Sequence, residues 1–541
     1  MGWNFGDILD AVEAAIDPNA LAFAHGDRLI TWGEAGPQSN RLARALAAAG
    51  LRPGDRVAHY MRNQPAYMQT VRACFKGRFT HVNVNYRYKP EEVAYIVDNS
   101  DAVALVYGAE FRDTVAQIRS SLPQVKLYIE VGGGADKAAF AQDFDSLNET
   151  GDGSPLGIER SGDDLLFLYT GGTTGLPKGV MWPHGELRET QLNALRKLGG
   201  FVPETMELLL EALKSAQPAP PLIPACPLMH GTGLFTAIGA TVNGGAIVTL
   251  TGENFDPHEL WAAVDRHKVG SLAIVGDAFA KPMLRALHEK PGQYDLSSII
   301  NIISSGVMWS VEVKRGLLEF MPQAMMSDSF GASEAVGLGA AIMIKDGDIP
   351  TARFTIGERC KVFDEDDQPV EPGSGRMGFI AMPPPIPLGY HKDAAKTART
   401  FRTIGGVRYS IPGDWCLVEP DGSLTLIGRG SASINTAGEK VFPEEVEEAL
   451  KTHPSVEDAL VVGVPDDKWG QAVTAVIRLN PGFSFSEGAL REHVKGRLAA
   501  YKAPKRVFVG EGVNMRAPNG KADYKSVTAF AKEQTAVQAA E

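Results

Sequence analysis

The chain has 541 residues, of which 44% are hydrophobic and 22% are charged, and these proportions are those of a soluble globular protein. A chain of this length exceeds a single hydrophobic core and predicts a large domain with a smaller one beside it in sequence. The net charge of −12 argues against nucleic acid, or an anionic membrane surface, as the main partner.

The cysteines and the N-terminus bear on the cellular compartment. The cysteines at 74, 226, 360 and 416 are scattered without a CxxC pair, so the sequence indicates neither a zinc site nor a disulfide framework. The N-terminus lacks the basic start and apolar core of a signal peptide. No apolar run reaches the 18 residues that a membrane span requires. We therefore predict a cytoplasmic protein whose oligomeric state is open, with a homodimer as one option.

Short apolar runs alternate with amphipathic segments through about residue 430. The runs include 56–60, 102–107, 271–275 and 299–303. This alternation predicts an α/β fold, with parallel strands covered by helices. Residues 203–224 differ, and we interpret them as an inserted helix over 204–215 followed by a rigid proline-rich connector.

The character of the chain changes near residue 430. A small-residue joint over 428–433 precedes a helix predicted over 443–450, which begins at Pro443 and is rich in glutamate. Strands are predicted over 459–463 and 472–477, and a second helix over 487–500. We predict a large domain over 1–429 and a small α+β domain over 430–541 that ends in a frayed tail rich in Ala and Gln.

A segment rich in glycine and threonine follows an apolar run at 164–169, which reads as a buried strand. Its residues are Thr170, Gly171, Gly172, Thr173, Thr174, Gly175, Leu176, Pro177 and Lys178. Glycines let the backbone approach a ligand, successive N–H groups form an anion nest, and Lys178 adds positive charge. The segment therefore predicts phosphate binding, although it is not a Walker A loop because no Gly-Lys-Ser/Thr follows a four-residue spacer.

This segment closely resembles the signature loop of the adenylate-forming superfamily, which includes acyl-CoA synthetases, luciferases and peptide-synthetase adenylation domains. Gly171 stands where serine is common in that family, which removes one hydroxyl and keeps the nest. The resemblance implies that residues 170–175 and Lys178 bind ATP and that Thr173 lies near Mg²⁺.

Two further segments extend the resemblance to the nucleotide. Residues 328–334 resemble the family segment Tyr-Gly-x-Thr-Glu, and the resemblance gives nucleotide contacts to Asp328, Ser329, Phe330, Ser333 and Glu334. It implies that Phe330 stacks on adenine, that Ser333 lies beside the α-phosphate and that Glu334 helps to hold Mg²⁺. Without the resemblance, the phenylalanine would read as a core residue and the glutamate as a solvated one. Ser305 and Gly306 fit the family segment that passes under adenine.

The third group of matches lies on either side of the predicted joint. Asp414 and Arg429 resemble the residues that hold the ribose and the adjoining phosphate. Ser431 stands where the family usually has an Asp or Lys hinge, so a charged latch is not indicated. Gly438 and Lys440 match the face that the family presents to the pantetheine arm of coenzyme A.

Two residues are matched to the acid and its activation. Residues 516–521 resemble the C-terminal segment whose lysine, here Lys521, bridges the carboxylate and the α-phosphate and stabilises developing charge. Alone, it would read as a surface lysine. His230 matches an aromatic gate of the acyl pocket, and we interpret it as a carboxylate neighbour and not as a base, because the acid is already ionised.

The matches occur in family order over about residues 20–525, and they imply ATP, Mg²⁺ and coenzyme A as reactants or cofactors. The leading interpretation is an acyl-CoA synthetase for a medium- or long-chain fatty acid or a sterol side-chain acid. An amide-forming or stand-alone adenylating ligase and a non-enzymatic nucleotide sensor are the alternatives. The acyl pocket is predicted to be apolar and bounded by His230 and by segments 235–240, 308–309 and 336–340, although residues 308–309 also suit ordinary core packing.

Overall fold

The computed structural model describes residues 3–170, 176–197, 201–215, 219–306, 309–347, 353–357, 359–429, 434–436, 439–466, 469–498, 500–516 and 522–540. The chain forms two compact units. The first comprises Met1–Thr351, Gly357–Arg359 and Met382–Ser410, and the second comprises Ala352–Ile356, Cys360–Ala381 and Ile411–Glu541. The boundary that we predict between independent domains at residues 429 and 430 stays a prediction.

The strands in chain order are β1 (Leu21–His25), β2 (Arg28–Thr31), β3 (Arg56–Tyr60), β4 (Thr80–Asn83), β5 (Ala102–Gly108), β6 (Leu127–Val131), β7 (Gln142–Asp143), β8 (Leu165–Thr170), β9 (Lys178–Pro183), β10 (Leu222–Pro224), β11 (Ile247–Thr249), β12 (Ser271–Ile274), β13 (Asn301–Ser305), β14 (Met325–Ala332), β15 (Ala335–Met343), β16 (Arg353–Ile356), β17 (Lys361–Phe363), β18 (Met377–Ala381), β19 (Gly389–Tyr390), β20 (Phe401–Ile404), β21 (Val407–Ser410), β22 (Asp414–Val418), β23 (Leu424–Arg429), β24 (Ile434–Thr436), β25 (Glu439–Val441), β26 (Val456–Asp466), β27 (Gly470–Leu479) and β28 (Arg506–Val509).

The α-helices in chain order are α1 (Phe5–Ala15), α2 (Trp32–Ala48), α3 (Pro65–Gly77), α4 (Pro90–Asn99), α5 (Arg112–Ile118), α6 (Phe144–Glu149), α7 (His184–Lys197), α8 (Met206–Ser215), α9 (Gly231–Thr241), α10 (Pro257–His267), α11 (Asp277–Glu289), α12 (Val311–Phe320), α13 (Ala394–Thr400), α14 (Pro443–Lys451), α15 (Glu487–Lys495) and α16 (Tyr524–Ala540). Within the described ranges, none of these helices combines the length and the hydrophobicity that a membrane crossing requires.

Two large sheets build the first unit. In one, the strand order is β15-β14-β13-β12-β10-β11-β1-β2, and in the other it is β19-β9-β8-β4-β3-β5-β6-β7. Both sheets are mixed: β12, β13 and β14 are parallel to one another, whereas β15 is antiparallel to β14 and β9 to β8. The main hydrophobic core takes buried side chains from both sheets, among them Leu168, Trp182, Leu222 and Ile247. The α/β fold class predicted from the alternating runs is confirmed, and the inserted helix exists as α8.

The second unit contains a small sheet in the order β25-β24-β27-β26, with β28 paired to β27. Successive residues of β26 point to opposite faces, as the pleat requires. Ala459 and Val461 pack in one core with Val446 of α14 and Leu490 of α15, whereas Leu460 and Val462 belong to a second cluster. Helices therefore cover both faces of this sheet.

Three sequence-based expectations need correction. The C-terminal tail is not frayed, because α16 is helical through Ala540 and buries Val527 and Ala531, one turn apart, in the second cluster. The second helix of the small domain ends at Lys495 and is capped at Gly496, so it is shorter than the predicted span 487–500. The strand predicted over 299–303 is β13, which begins at Asn301.

Candidate active site

Two of the sequence motifs meet where adjacent parallel strands end. Ser305 of β13 pairs in register with Ser329 of β14. Gly306 follows with φ of +90°, a backbone conformation that residues other than glycine rarely adopt. Phe330 continues β14 opposite Gly339 of β15 and is buried. Since the carboxyl ends of parallel strands are the usual place for ligands in α/β sheets, these motifs lie where a nucleotide site is expected.

Asp328 is held within the same strand ends by a buried ion pair. Its carboxylate accepts a hydrogen bond from the ammonium group of Lys314 on α12. Burial raises the pKa of Asp328, and the ammonium group of Lys314 offsets part of this rise. This pair ties α12 to β14, and the nucleotide contact that we predict for Asp328 stays a prediction.

The segment after β14 is fixed by three hydrogen bonds. The backbone carbonyl of Ser333 accepts a bond of 2.8 Å from Trp182 Nε1. The carbonyl of Glu334 accepts a bond of 2.6 Å from the hydroxyl of Ser410, and its carboxylate Oε1 accepts one of 2.5 Å from the hydroxyl of Tyr390. Glu334 is only 9% exposed. A carboxylate held in this way has a fixed direction, as a metal-binding or phosphate-facing group requires.

The described ends of the segment that is predicted to bind phosphate are paired with each other. Thr170 at the end of β8 lies opposite Lys178 at the start of β9, which confirms the strand predicted before the segment. The ammonium group of Lys178 donates to the carboxylate of Asp393 at the start of α13, and this bond lowers the pKa of Asp393. Gly171, Gly172, Thr173, Thr174 and Gly175 lie outside the described residues.

His230 immediately precedes α9, and its backbone N–H donates to the carbonyl of Pro227. One turn along α9, the ring centre of Phe235 lies 6.2 Å from that of Trp182. The start of α9 is thus near the tryptophan that holds Ser333. Trp309 is almost fully buried in the core cluster formed with α10, α11 and α12, which is the core packing that the sequence also allowed. Met308 lies outside the described residues.

In the second unit, the two residues that are predicted to hold the ribose lie opposite each other. Asp414 begins β22 and pairs in register with Arg429 at the end of β23. Gly413, with φ of +98°, makes the preceding turn, and Asp414 is buried. Lys440 lies on β25, where its backbone is opposite Asn435 of β24. Gly438 lies outside the described residues, as does Ser431.

Lys521 also lies outside the described residues, but both of its flanks are described. Arg516 and Ala522 form an antiparallel bridge, and the N–H of Asp523 donates to the carbonyl of Met515 over 2.9 Å. The guanidinium of Arg516 binds both carboxylate oxygens of Asp458 on β26, at 2.6 and 2.8 Å. The chain on either side of the predicted lysine is therefore tied together and anchored to the sheet.

A buried glutamate provides a second anchor. Glu447 of α14 is almost fully buried, and its Oε1 accepts bonds from the N–H of Val461 at 2.9 Å and from the hydroxyl of Tyr524 at 3.0 Å. Burial raises the pKa of Glu447 to about 7. Because Tyr524 begins α16 just after residues 517–521, this contact fixes the downstream flank to α14.

Sequence reasoning missed Trp182, Tyr390, Asp393, Asp458 and Glu447. Tyr390 and Glu334 are 56 positions apart, and Lys178 and Asp393 are 215 apart, so no local pattern links the partners. The Gly-Tyr and Pro-Glu-Glu sequences around Tyr390 and Glu447 carry no signal that separates them from ordinary strand and helix residues.

Comparison with known proteins identifies the family to which the chain belongs. The family model described as AMP-binding enzyme matches residues 11–382, and that described as AMP-binding enzyme C-terminal domain matches residues 445–521. This protein is an AMP-binding enzyme. Its membership of the adenylate-forming superfamily, which the motifs predict, is thereby confirmed.

Relatives and solved structures agree with this membership. The chain is 40% identical over 556 residues to a 3-oxocholest-4-en-26-oate–CoA ligase of Rhodococcus rhodochrous, covering 99% of this chain and 97% of the relative. It is 40% identical to a medium/long-chain-fatty-acid–CoA/3-oxocholest-4-en-26-oate–CoA ligase of Mycobacterium marinum, covering 99% and 98%. The ATP-bound structure of MatB from Rhodopseudomonas palustris shares the fold, with a TM-score of 0.81 at 23% identity over 98% of this chain and all of that one.

The described part of this AMP-binding enzyme does not itself form a metal cage, since it contains no cluster of three or more His, Cys, Asp or Glu side chains suited to a metal ion. Glu334 offers one oriented carboxylate. Mg²⁺ in nucleotide sites is usually held by one or two carboxylates together with the substrate phosphates, so a single glutamate fits that arrangement.

Proposed function

We propose that this protein is an ATP-dependent acyl-CoA synthetase that activates a medium- or long-chain fatty acid or a sterol side-chain acid. The observation that carries the proposal is the 40% identity, over 99% of the chain, to ligases named for these substrates. The placement of Ser305, Ser329 and Phe330 at adjoining strand ends supports an adenylate site in the first unit.

The reaction begins with a carboxylate, which is a poor acyl donor because oxide is a poor leaving group. A carboxylate oxygen of the acid attacks the α-phosphorus of ATP, the bond to the bridging oxygen breaks, and pyrophosphate leaves. The product is an acyl-adenylate. Lys521 is proposed to stabilise the negative charge that grows on the phosphoryl oxygens in this step.

The side chains matched to the nucleotide are proposed to hold it for this attack. Phe330 is proposed to stack on adenine, and Lys178, already held by Asp393, to face the phosphates. Asp414 and Arg429 keep their proposed role at the ribose. Glu334, oriented by Tyr390, and Thr173 are the residues that would hold Mg²⁺, which offsets the negative charge of the phosphates when bound.

In the second half-reaction the thiol of coenzyme A attacks the acyl carbonyl, the thiol proton is released, and AMP leaves. Gly438 and Lys440 are proposed to contact the pantetheine arm.

We also propose the cytoplasm as the site of this reaction, because all four cysteines are buried free thiols.

The test is AMP formation from ATP with a panel of carboxylic acids, measured with and without coenzyme A. We expect steady AMP release with fatty or sterol side-chain acids only when coenzyme A is present, together with the acyl-CoA product. Turnover with an amine in place of coenzyme A would instead identify an amide-forming ligase. Absence of pyrophosphate release with every acid would overturn the proposal.

A further inference from the structure

The helix that follows the phosphate-binding segment carries a buried arginine. Arg188 of α7 is 0% exposed. Its Nη1 lies 3.4 Å from Oε1 of Gln191, and its guanidinium carbon lies 5.3 Å from the ring centre of Trp3. Within the described residues, Nε and Nη2 of Arg188 and Nε2 of Gln191 are buried and make no hydrogen bond. Three buried donor nitrogens thus belong to one pair of neighbouring side chains.

The acidic residues of the same helix are engaged elsewhere. Glu189 pairs with Arg196 at 2.6 Å, and Glu186 accepts a bond of 3.2 Å from the backbone N–H of Ile386. Burial lowers the pKa of Arg188 to about 10, so its guanidinium still carries a charge at pH 7. A charged donor in an apolar core costs folding free energy until an acceptor binds it.

His184, at the start of the same helix, shows the contrast. It is also completely buried, and neither ring nitrogen makes a hydrogen bond within the described residues. Burial lowers its pKa to about 3, so the ring is neutral at pH 7 and packs between Phe5 and Phe75. Arg188 stays charged at this pH. Its unpaired donors therefore indicate a ligand that accepts their hydrogen bonds.

The position of the pair indicates which ligand. Trp182, just before α7, holds Ser333 and lies beside Phe235 near the start of α9. Farther along both helices, a Cβ atom on Gly239 would lie 3.6 Å from Nε2 of Gln191. At 1.5 Å per residue, Gly239 is about 14 Å along α9 from His230. With His230 as the proposed neighbour of the reacting carboxylate, Gln191 lies at a distance from that carboxylate that only a long acid can span.

We propose that Arg188 and Gln191 bind a carbonyl oxygen at the end of the acid substrate remote from the reacting carboxylate. The inference rests on the proposed function and adds a specificity determinant to it. The free groups of the pair are donors, so the ligand must supply an acceptor, either a ketone or a second carboxylate. An acid that lacks this oxygen leaves the donors unpaired and is selected against.

The experiment compares kcat/KM for four acids. They are a sterol side-chain acid with a ketone on its rings, the same acid with the ketone replaced by methylene, a long dicarboxylic acid, and a fatty acid without a distal oxygen. We expect the parent enzyme to prefer one of the two carbonyl-bearing acids over its counterpart without the distal oxygen by about 10- to 100-fold, the range for a hydrogen bond to a charged group. The counterpart of the ketone-bearing sterol acid is the methylene acid, and that of the dicarboxylic acid is the fatty acid. The preferred acid shows whether the acceptor is a ketone or a carboxylate.

Arg188→Met should remove this preference by lowering kcat/KM for the carbonyl-bearing acid, while the fatty acid keeps its rate. Gln191→Leu should reduce the preference in part. Arg196→Met is the matched control, because Arg196 lies on the same helix, is exposed and binds Glu189, Glu204 and Asn193 at the surface. It should leave all four rates unchanged.

Equal loss of rate with every acid, or no preference in the parent enzyme, would overturn the inference, while coenzyme A-dependent AMP formation from the fatty acid would still support the proposed function. If no acid is activated, both fail. Should Arg188→Met prove unfolded by thermal denaturation, Gln191→Leu decides the outcome, because its side chain is uncharged and only partly buried.

Discussion

Each of the two compact units buries a glutamate against a tyrosine hydroxyl, and the two glutamates have different tasks. In the first unit, Glu334 follows a strand end, is 9% exposed and accepts a bond of 2.5 Å from Tyr390. In the second, Glu447 is 4% exposed, accepts a bond of 3.0 Å from Tyr524 and has its pKa raised to about 7. The first arrangement orients a carboxylate beside the adenylate motifs, whereas the second joins two helices next to the predicted catalytic lysine.

The difference suggests a division of labour. The first unit is proposed to hold substrates through both half-reactions, so changes there should affect both. In the second unit, Lys521 is proposed to act in adenylation alone, whereas Lys440 is proposed to contact coenzyme A. Changes near the flanks of residues 517–521 should therefore affect only the first half-reaction. Measuring the two half-reactions separately therefore tests the comparison.

The largest effect is expected for Lys521→Ala. Removing one group that stabilises transition-state charge costs about 100- to 1,000-fold in rate, so adenylate formation from acid and ATP should fall by that amount. Thioester formation from supplied acyl-adenylate and coenzyme A should be retained. Pyrophosphate release and acyl-CoA formation measure the two steps. Equal loss in both steps would remove the lysine from the proposed role.

Glu334→Gln is expected to lower turnover by about 100-fold, because the proposed Mg²⁺ site would lose one carboxylate charge. A bound metal ion stabilises the charge of the transition state by several kcal/mol. The concentration of Mg²⁺ needed for half-maximal rate should rise. Tyr390→Phe keeps the carboxylate and removes only its orienting bond, so its effect should be smaller, about tenfold. An unchanged Mg²⁺ dependence in Glu334→Gln would contradict the assignment.

Asp458→Asn should affect adenylation and spare thioester formation. The substitution removes the charge that holds Arg516 at 2.6 and 2.8 Å, and a small displacement of a catalytic group can lower the rate by about tenfold or more. Asp466→Asn is the control, since it weakens the pair of Asp466 with Arg506 in the same unit without touching the flanks of residues 517–521. A similar loss in both variants would indicate a general effect on folding.

The sequence predicted much of this arrangement and missed the parts that depend on contacts between distant residues. The segment at 170–175 follows β8, and Ser305 ends β13, and the apolar runs of both strands are visible in the sequence. The pairing of Asp414 with Arg429 joins β22 and β23, which the sequence analysis did not predict. The tail was misread because its burial depends on the second face of β26, and this face becomes apparent only once the sheet has formed. Arg188 reads as an ordinary helix residue until its burial is known.

The predicted acyl pocket gives a smaller effect, confined to long acids. Gly239 lies within α9, and a Cβ there would make ordinary contact with Gln191, so Gly239→Ala should be tolerated. Gly239→Leu should shorten the space and lower kcat/KM for long acids by about fourfold for each methylene excluded, at 0.8 kcal/mol each, while short acids keep their rate. Both half-reactions should change together. Gly337 is unsuitable for this test because its φ of +76° strains any substitution.

The smallest effect on activity is expected for Glu447→Gln, and it concerns the pH dependence of stability. Glu447 has a folded-state pKa of about 7, above its ordinary value of 4.5, because burial disfavours the charged form. The folded state therefore binds the proton more tightly than the unfolded state between these values. The stability contributed by this proton is fully present below pH 4.5 and is lost as the pH rises through 7.

Glutamine keeps an oxygen that can accept the bonds from Val461 and Tyr524, and it carries no charge at any pH. We therefore expect Glu447→Gln to be more stable than the parent above pH 7, by at most about 3 kcal/mol, since a displacement of one pH unit in a pKa corresponds to about 1.4 kcal/mol. Thermal unfolding between pH 5 and pH 8.5 measures the difference, which should shrink toward pH 5. Both half-reactions at pH 7 should remain close to those of the parent, in contrast to Glu334→Gln. A stability difference that is constant across this range would show that Glu447 does not titrate there, and the contrast between the two buried glutamates would then rest on position alone.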